Sequence, residues 1–318
     1  MSGSVYDWVC HLSALIHVPC KFLAIFVVYR HSPSSMDHLP SFILNALAWS
    51  FLALLFGALL HYSPLFPLVC VRTYGFATVF TRNEYVLHHI ICATVVCVAN
   101  AVVALAYPFV FRYFVLVHEA LAHKMKPKWY VVLGAVGHVI ATAIVEVCYS
   151  YVILPYAEYP FGGEVPPYAV ICFHSDGWLK FSVVMTILLG LTLITAVIIV
   201  FSLLLRRHLS KMTNLLGQQT IDMHRRFLRY LIVVTAVPVL MAEIPFLFAL
   251  LCLFFPNIPF SREIFMCCVV TLYNHGAIYS IVSIVTFKPY YEAVRKMVFV
   301  PLRYYCRKAK VFAMSSIK

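Results

Sequence analysis

Seven separate windows of the chain, roughly 8–28, 41–62, 86–110, 129–153, 179–205, 227–255 and 263–286, are each long and apolar enough to cross a bilayer. At about 1.5 Å of rise per residue, about 20 such residues cover the roughly 30 Å of hydrocarbon. Lipid offers no partner to a backbone N–H or C=O, so the windows are either helices or strands of a closed barrel. A barrel needs alternating segments of about ten residues, and runs such as VVMTILLGLTLITAVIIVFSLLL do not alternate. The windows predict an all-α membrane protein, a seven-transmembrane helix bundle. The longest connection, from about Ile153 to Trp178, has under thirty residues and leaves no room for a soluble domain.

Composition agrees: 63% of residues are hydrophobic and 11% charged, where a soluble domain has about a quarter charged. The first forty residues lack a basic leader, and His11, His17 and Lys21 interrupt the first apolar run. That run therefore reads as a span and not as a cleaved signal.

The net charge of +12 is unevenly placed. Arg30, four residues of the third connection (Arg112, Lys124, Lys126, Lys128), six of the fifth and eight after Thr286 make nineteen Lys and Arg on one side. Arg72, Arg82 and Arg262 are the three on the other, with Lys21 and Lys180 inside or at the edge of spans. Basic loops are held in the cytoplasm, which predicts an external N-terminus and an internal C-terminus. The second outer loop, with Glu158, Glu164 and Asp176 and no Lys or Arg, fits that orientation. Because the cations are divided among loops and form no single stripe, nucleic acid is not the expected partner.

The last apolar run stops at Lys288-Pro289 and resumes as PYYEAVRKMV. Tyr290, Val294, Met297 and Val298 share one helical face, with Glu292, Arg295 and Lys296 on another, the pattern of a short helix lying in the membrane interface. Pro289 suits a first helical position. Residues 1–287 are thus expected to form the bundle, and 288–318 a cytoplasmic surface helix and basic tail drawn to anionic membrane lipid. Cys306, among aromatics and cations, is a palmitoylation candidate.

Charge near mid-membrane costs about 2.5–3.5 kcal/mol on insertion scales, so each such residue asks for a reason. Lys21 lies in span one, with a side chain tilted away from the nearer membrane face, and should point into the bundle. Glu243 sits within span six and Glu146 in the outer half of span four; Asn45, Asn100, Asn274 and His275 complete the interior polar set. Two roles stay open for Glu243, Asn274, His275, Glu146 and Asn100: lining a ligand cavity, or joining helices by hydrogen bonds of about 0.6 kcal/mol each. A Lys21–Glu243 pair is one possible arrangement. The aromatic outer halves of the helices suit a small, largely apolar ligand.

Pro238 and Pro245 lie seven residues apart in span six, so both remove a backbone hydrogen bond on nearly the same face and make a hinge possible. Of eleven cysteines, eight fall in spans, Cys306 is internal, and only Cys70 and Cys172 lie in outer loops. An oxidising exterior makes that pair the one disulfide candidate. HEALAH, His118 to His123, has histidines five apart and not four, which puts them on different helical faces and rules out the zinc-protease reading. No metal site, cofactor motif, P-loop, nucleophile elbow or paired catalytic carboxylates is expected, and an enzyme is not the reading.

Several stretches carry a family resemblance in order along nearly the whole chain: SPSSMDHLPSFILNALAW, HYSPLFPLVCVRTYG, FVFRY, SKMTNLLGQQTIDMHRRFLRYL, AVPVLMAEIPF and YNHGAIYSIVSIVTFKPYY. Together they resemble the nematode serpentine chemoreceptors of class H, in the Str-like superfamily of G-protein-coupled receptors. Val110 and Phe111 stand where that family has an acid and an amide before the Arg, and Tyr291 where it has an Arg after Pro-Tyr. The resemblance implies a plasma-membrane chemosensory receptor of sensory-neuron cilia that binds a small extracellular molecule and activates a heterotrimeric G protein. By position, Arg112 with Tyr113 at the inner end of span three is the candidate switch that meets a G-protein helix when the floor opens, and Arg225 and Arg226, where the fifth connection enters span six, are the next candidates for the G-protein surface. With Phe111 and Tyr113 as neighbours, Arg112 lacks a local acidic clamp, so a resting lock must be weak or come from elsewhere. The alternatives are a membrane transporter, for which no internal repeat is visible, and a non-signalling relative that assists other receptors. Ligand identity, G-protein subtype and oligomeric state are not legible.

Overall fold

The computed structural model describes residues 3–33, 38–118, 124, 127–159, 169–174, 177–212, 218–255 and 257–299. Cys306, the basic tail, and most of the third inner loop and of the acidic outer loop lie outside them. Seven helices are long and apolar enough to cross a membrane. Spans one and two are α1 (Gly3–His31) and α2 (Leu39–Leu60). A short helix, α3 (Ala77–Phe80), precedes span three, α4 (Glu84–Val117), and span four is α5 (Pro127–Val152). Span five is α6 (Trp178–Lys211); span six runs from α7 (Gln218–Pro238) through a wider turn into α8 (Ile244–Phe254). Span seven is α9 (Ser261–Val285), and α10 (Lys288–Val294) follows it.

Spans three, five and six run well past their apolar windows at one end, carrying Arg112, Arg206 and Arg225 on continuous helix. Within the apolar windows lipid forces the helix, since intrahelical bonds are the means by which a lone segment satisfies its backbone there. Span two packs against span three and span one against span seven, which closes the bundle, while span four rides on the outside of span three. The lipid-side faces are large apolar residues: Val131, Val139, Ile140 and Val147 of span four are all exposed. Two apolar cores divide the interior, one around Tyr6, Leu60, Ile171 and Tyr273, the other around Phe109, Leu205, Tyr230 and Tyr290.

The first core lies under an element that hydropathy does not announce. Four short strands, β1 (Tyr62–Pro64), β2 (Cys70–Thr73), β3 (Ile153–Leu154) and β4 (Val170–Phe173), form an antiparallel sheet in the order β1-β2-β4-β3. It joins the loop after span two to the loop after span four, so it caps one end of the bundle. Cys70 faces Cys172 in register, and the two are disulfide-bonded with Cα atoms 4.1 Å apart. Tyr159 Oη accepts from the Val69 N–H at 2.9 Å, and Glu84 at the start of span three accepts from the Tyr156 N–H at 2.8 Å, tying the cap to the helices. Burial pushes the Tyr62 phenol up to about 12, so it remains a hydrogen-bond donor at physiological pH.

The glycine closing HYSPLFPLVCVRTYG has a steric reason. The Gly75 N–H donates to the Leu60 carbonyl at 2.9 Å where the chain folds back over the end of span two, and a Cβ there would lie 2.0 Å from the Leu59 oxygen.

At the opposite end α10 begins with proline in its first turn and buries Tyr290, whose hydroxyl shares a 2.8 Å hydrogen bond with Ser32 after span one. Phe287 stacks against Phe227 and Tyr230 of span six. Glu292, Arg295 and Lys296 are exposed, and Lys288 lies 3.8 Å from Glu292.

Two measurements test the cap. Cys172→Ser should lower stability by about 2–4 kcal/mol, because the bond constrains a long loop in the unfolded chain, and purified wild-type protein under reductant should melt at the mutant's temperature. Gly75→Ala should cost about 3 kcal/mol by forcing backbone apart, read as a lower melting temperature with helical content unchanged.

Candidate functional site

Under the cap, spans one, two and seven enclose a polar and aromatic column. Tyr6 donates to the Tyr62 carbonyl at 2.8 Å, and Tyr273 donates to the Gly57 carbonyl at 2.6 Å. The His61 ring stacks with Tyr273 at 6.3 Å between centroids and lies 4.5 Å from His11. One layer deeper, Asn274 donates to Ser13 at 3.2 Å and to the Val270 carbonyl at 2.8 Å. His275 turns back to its own helix, with Nδ1 at 2.5 Å from the Leu272 carbonyl.

Near the middle of the bundle Lys21 is completely buried, as its sequence position predicts. It does not meet Glu243. Its Nζ bonds Ser50 of span two and lies 4.9 Å from the Tyr279 ring of span seven. Glu243 instead accepts from Thr195 of span five, which lies 3.0 Å from both carboxylate oxygens. A hydroxyl partner on the preceding span serves the half-buried carboxylate, and the lysine five helices off in sequence takes other partners.

Asn100 belongs to a third network. It donates to Thr142 at 3.0 Å and pairs with His138 Nδ1 at 2.7 Å, while His138 Nε2 reaches Asn45 at 2.9 Å. Trp49 packs on the same imidazole, 5.4 Å between centroids. Spans two, three and four are thereby joined through one histidine. Glu146 takes no part: it sits on an exposed face of span four. The five polar residues singled out from sequence therefore fall in separate places: Asn274 and His275 on span seven beside span one, Asn100 between spans three and four, Glu243 between five and six, Glu146 outside.

At the end opposite the cap, Arg112 lies over the Phe227 ring, 5.2 Å from its centroid, a cation–π contact to span six of the kind worth about 0.5–2 kcal/mol. Leu205 and Leu209 of span five and His224, Leu228 and Leu231 of span six complete the crevice around it. Tyr113 packs edge-on against Phe201 of span five at 5.2 Å. Arg225 is half-buried and Arg226 exposed on the same stretch of span six.

Between Pro238 and Pro245 the span six helix widens into one π turn, Val239–Glu243, in which the Ile244 N–H donates to the carbonyl five residues back. Pro245, the second residue of α8, has no N–H and would crowd the carbonyl four residues earlier, and widening the turn removes both problems. Sequence inspection anticipates two kinks. The structure keeps Pro238 in regular helix and places the one widened turn between the two prolines, just ahead of Pro245.

His138, Thr195, His17, Ser50 and Phe227 escape sequence reading. Each is an ordinary residue for a membrane helix, and only tertiary pairing gives it meaning. The one available signal is polarity within an apolar window, which His17 and His138 do carry.

A seven-span bundle braced by a disulfide-linked sheet at one end and opening on a cation-bearing crevice at the other is the architecture of a serpentine membrane receptor. Within that class, the model of the family described as "Serpentine type 7TM GPCR chemoreceptor Srh" matches residues 1–300, and the chain belongs to that family. No curated protein matches the chain. It is accordingly a multi-pass plasma-membrane protein and a chemosensory receptor of the serpentine class.

The Asn100–His138 pair should show a coupling of about 0.6–1.7 kcal/mol in a double-mutant cycle of Asn100→Ala and His138→Ala on melting of the purified protein. Strict additivity would show that the contact carries no energy.

Proposed function

We propose that this receptor binds a small, largely apolar external molecule under the sheet cap and activates a heterotrimeric G protein at the basic end. The observation that carries the reading is the opposition of the two ends. The cap holds the single disulfide found among the described residues, which suits an oxidising exterior. The far end gathers Arg112, Arg206 and Arg225 on extended helices, which suits the cytoplasm. In this orientation the N-terminus is outside and α10 lies along the inner leaflet.

The working parts follow from the contacts. Phe227 covers Arg112 from span six, and Phe287 stacks on Phe227 from the start of the surface helix. This aromatic cover is part of the resting lock. Span six can turn about Val239–Glu243, where the helix is already widened. A ligand that fits better when the outer part of span six shifts therefore draws Phe227 off Arg112 and leaves the guanidinium free for a G-protein segment; the population moves only as far as that difference in affinity allows. Glu243, at the turn and held by Thr195, forms the floor of the ligand space, with Asn274 and His275 on its far wall and Arg226 and Tyr113 beside the G-protein contact.

Two experiments test the reading. Tags before Met1 and after Lys318 should be reached by antibody on intact cells only at the N-terminus. In reporter cells screened with odorants, an active compound should raise nucleotide exchange on a co-expressed G protein, and Arg112→Ala should reduce that response about tenfold or more at unchanged surface expression. Net flux of the compound without nucleotide exchange would make the protein a transporter instead.

A further inference from the structure

We propose that the seam between spans one, two and seven holds a small monovalent anion, either a chloride ion or the carboxylate of a bound organic acid, against the ammonium of Lys21. Lys21 is 0% exposed, and its two neighbours, the Ser50 hydroxyl and the face of the Tyr279 ring, bear no negative charge. Among the described residues no carboxylate pairs with it. The acids on the spanning helices are engaged or remote: Glu84 accepts from the Tyr156 backbone, Glu243 from Thr195, Glu146 and Glu263 are exposed, Asp222 lies near the start of α7, and Asp7 precedes Lys21 on α1 by about 20 Å of helix.

His17, one helical turn nearer the cap, is also 0% exposed, and neither ring nitrogen makes a hydrogen bond of normal geometry although Asn274 lies beside it. The two basic side chains converge on one residue of span seven. A Cβ on Gly276 would stand 3.2 Å from Lys21 Cε and 3.4 Å from His17 Nδ1. Lysine has three donors and no acceptor, and an imidazole can present an N–H. A seam with an ammonium, spare donors and no acid beside it is complementary to a single negative charge. A lysine that keeps its charge at this depth is paired, and the partner missing from the chain then comes from solution or from the ligand.

The test uses the full chain purified in detergent and a melting curve in a bulky sulfonate salt, with chloride or acetate replacing the sulfonate at constant ionic strength. Wild type should gain about 2 °C or more in Tm with a saturating dependence on the anion. Lys21→Met, which keeps the stem and loses the charge, should show no such gain, and His17→Phe should weaken the apparent affinity. A response to chloride alone assigns an ion; a response to acetate that also displaces chloride assigns a carboxylate site. No gain in wild type with either anion, or an equal gain in Lys21→Met, overturns the proposal. Should Lys21→Met yield no folded protein, radiolabelled chloride binding to wild type and His17→Phe decides: saturable binding competed by acetate and weakened by His17→Phe supports the site, and non-saturable binding overturns it. The readout is stability, so it stands or falls independently of G-protein activation.

Discussion

Every feature of this chain answers to one constraint: inside hydrocarbon, a backbone N–H or C=O has no partner except another backbone group. That constraint imposes seven continuous helices and confines irregular chain to their ends. There the connections must still satisfy their own polar groups. The loops after spans two and four do so by pairing with each other, β2 against β4, with Cys70 opposite Cys172. The same demand explains why Pro245 is preceded by a widened turn and not a break, since a π turn keeps the Ile244 N–H bonded.

Side chains obey a softer version of the rule. Several polar groups of the interior are paired across helices by short bonds: Asn274 with Ser13, Glu243 with Thr195, Asn100 with His138 and Thr142. Each such bond contributes little energy, yet each specifies which helices are neighbours and in what rotation. Apolar faces alone cannot do this in lipid, because burying one leucine against another instead of against an acyl chain gains little.

How much was legible beforehand follows from the range of the forces. Span number and length come from local hydropathy, and the windows at 41–62 and 263–286 fall almost on Leu39–Leu60 and Ser261–Val285. The burial of Lys21 was legible because charge and tilt are properties of one helix. Its partners were not, since Ser50 and Tyr279 are ordinary residues far away in the chain. The sheet was illegible for another reason: strands of two to four residues are too short to show alternation. The candidate polar residues shared a chemical type, and grouping them by type placed them together, whereas the fold sends Glu146 to the outside and the rest to three different helix pairs.

The contact between spans one and seven has a consequence for biosynthesis. The bundle closes where span one meets span seven, so Lys21 enters the bilayer before Tyr279 and Gly276 exist to receive it. Until then Ser50, on the next helix to emerge, is the lysine's available companion. A chain halted before residue 261 lacks the span seven face against which Lys21 packs.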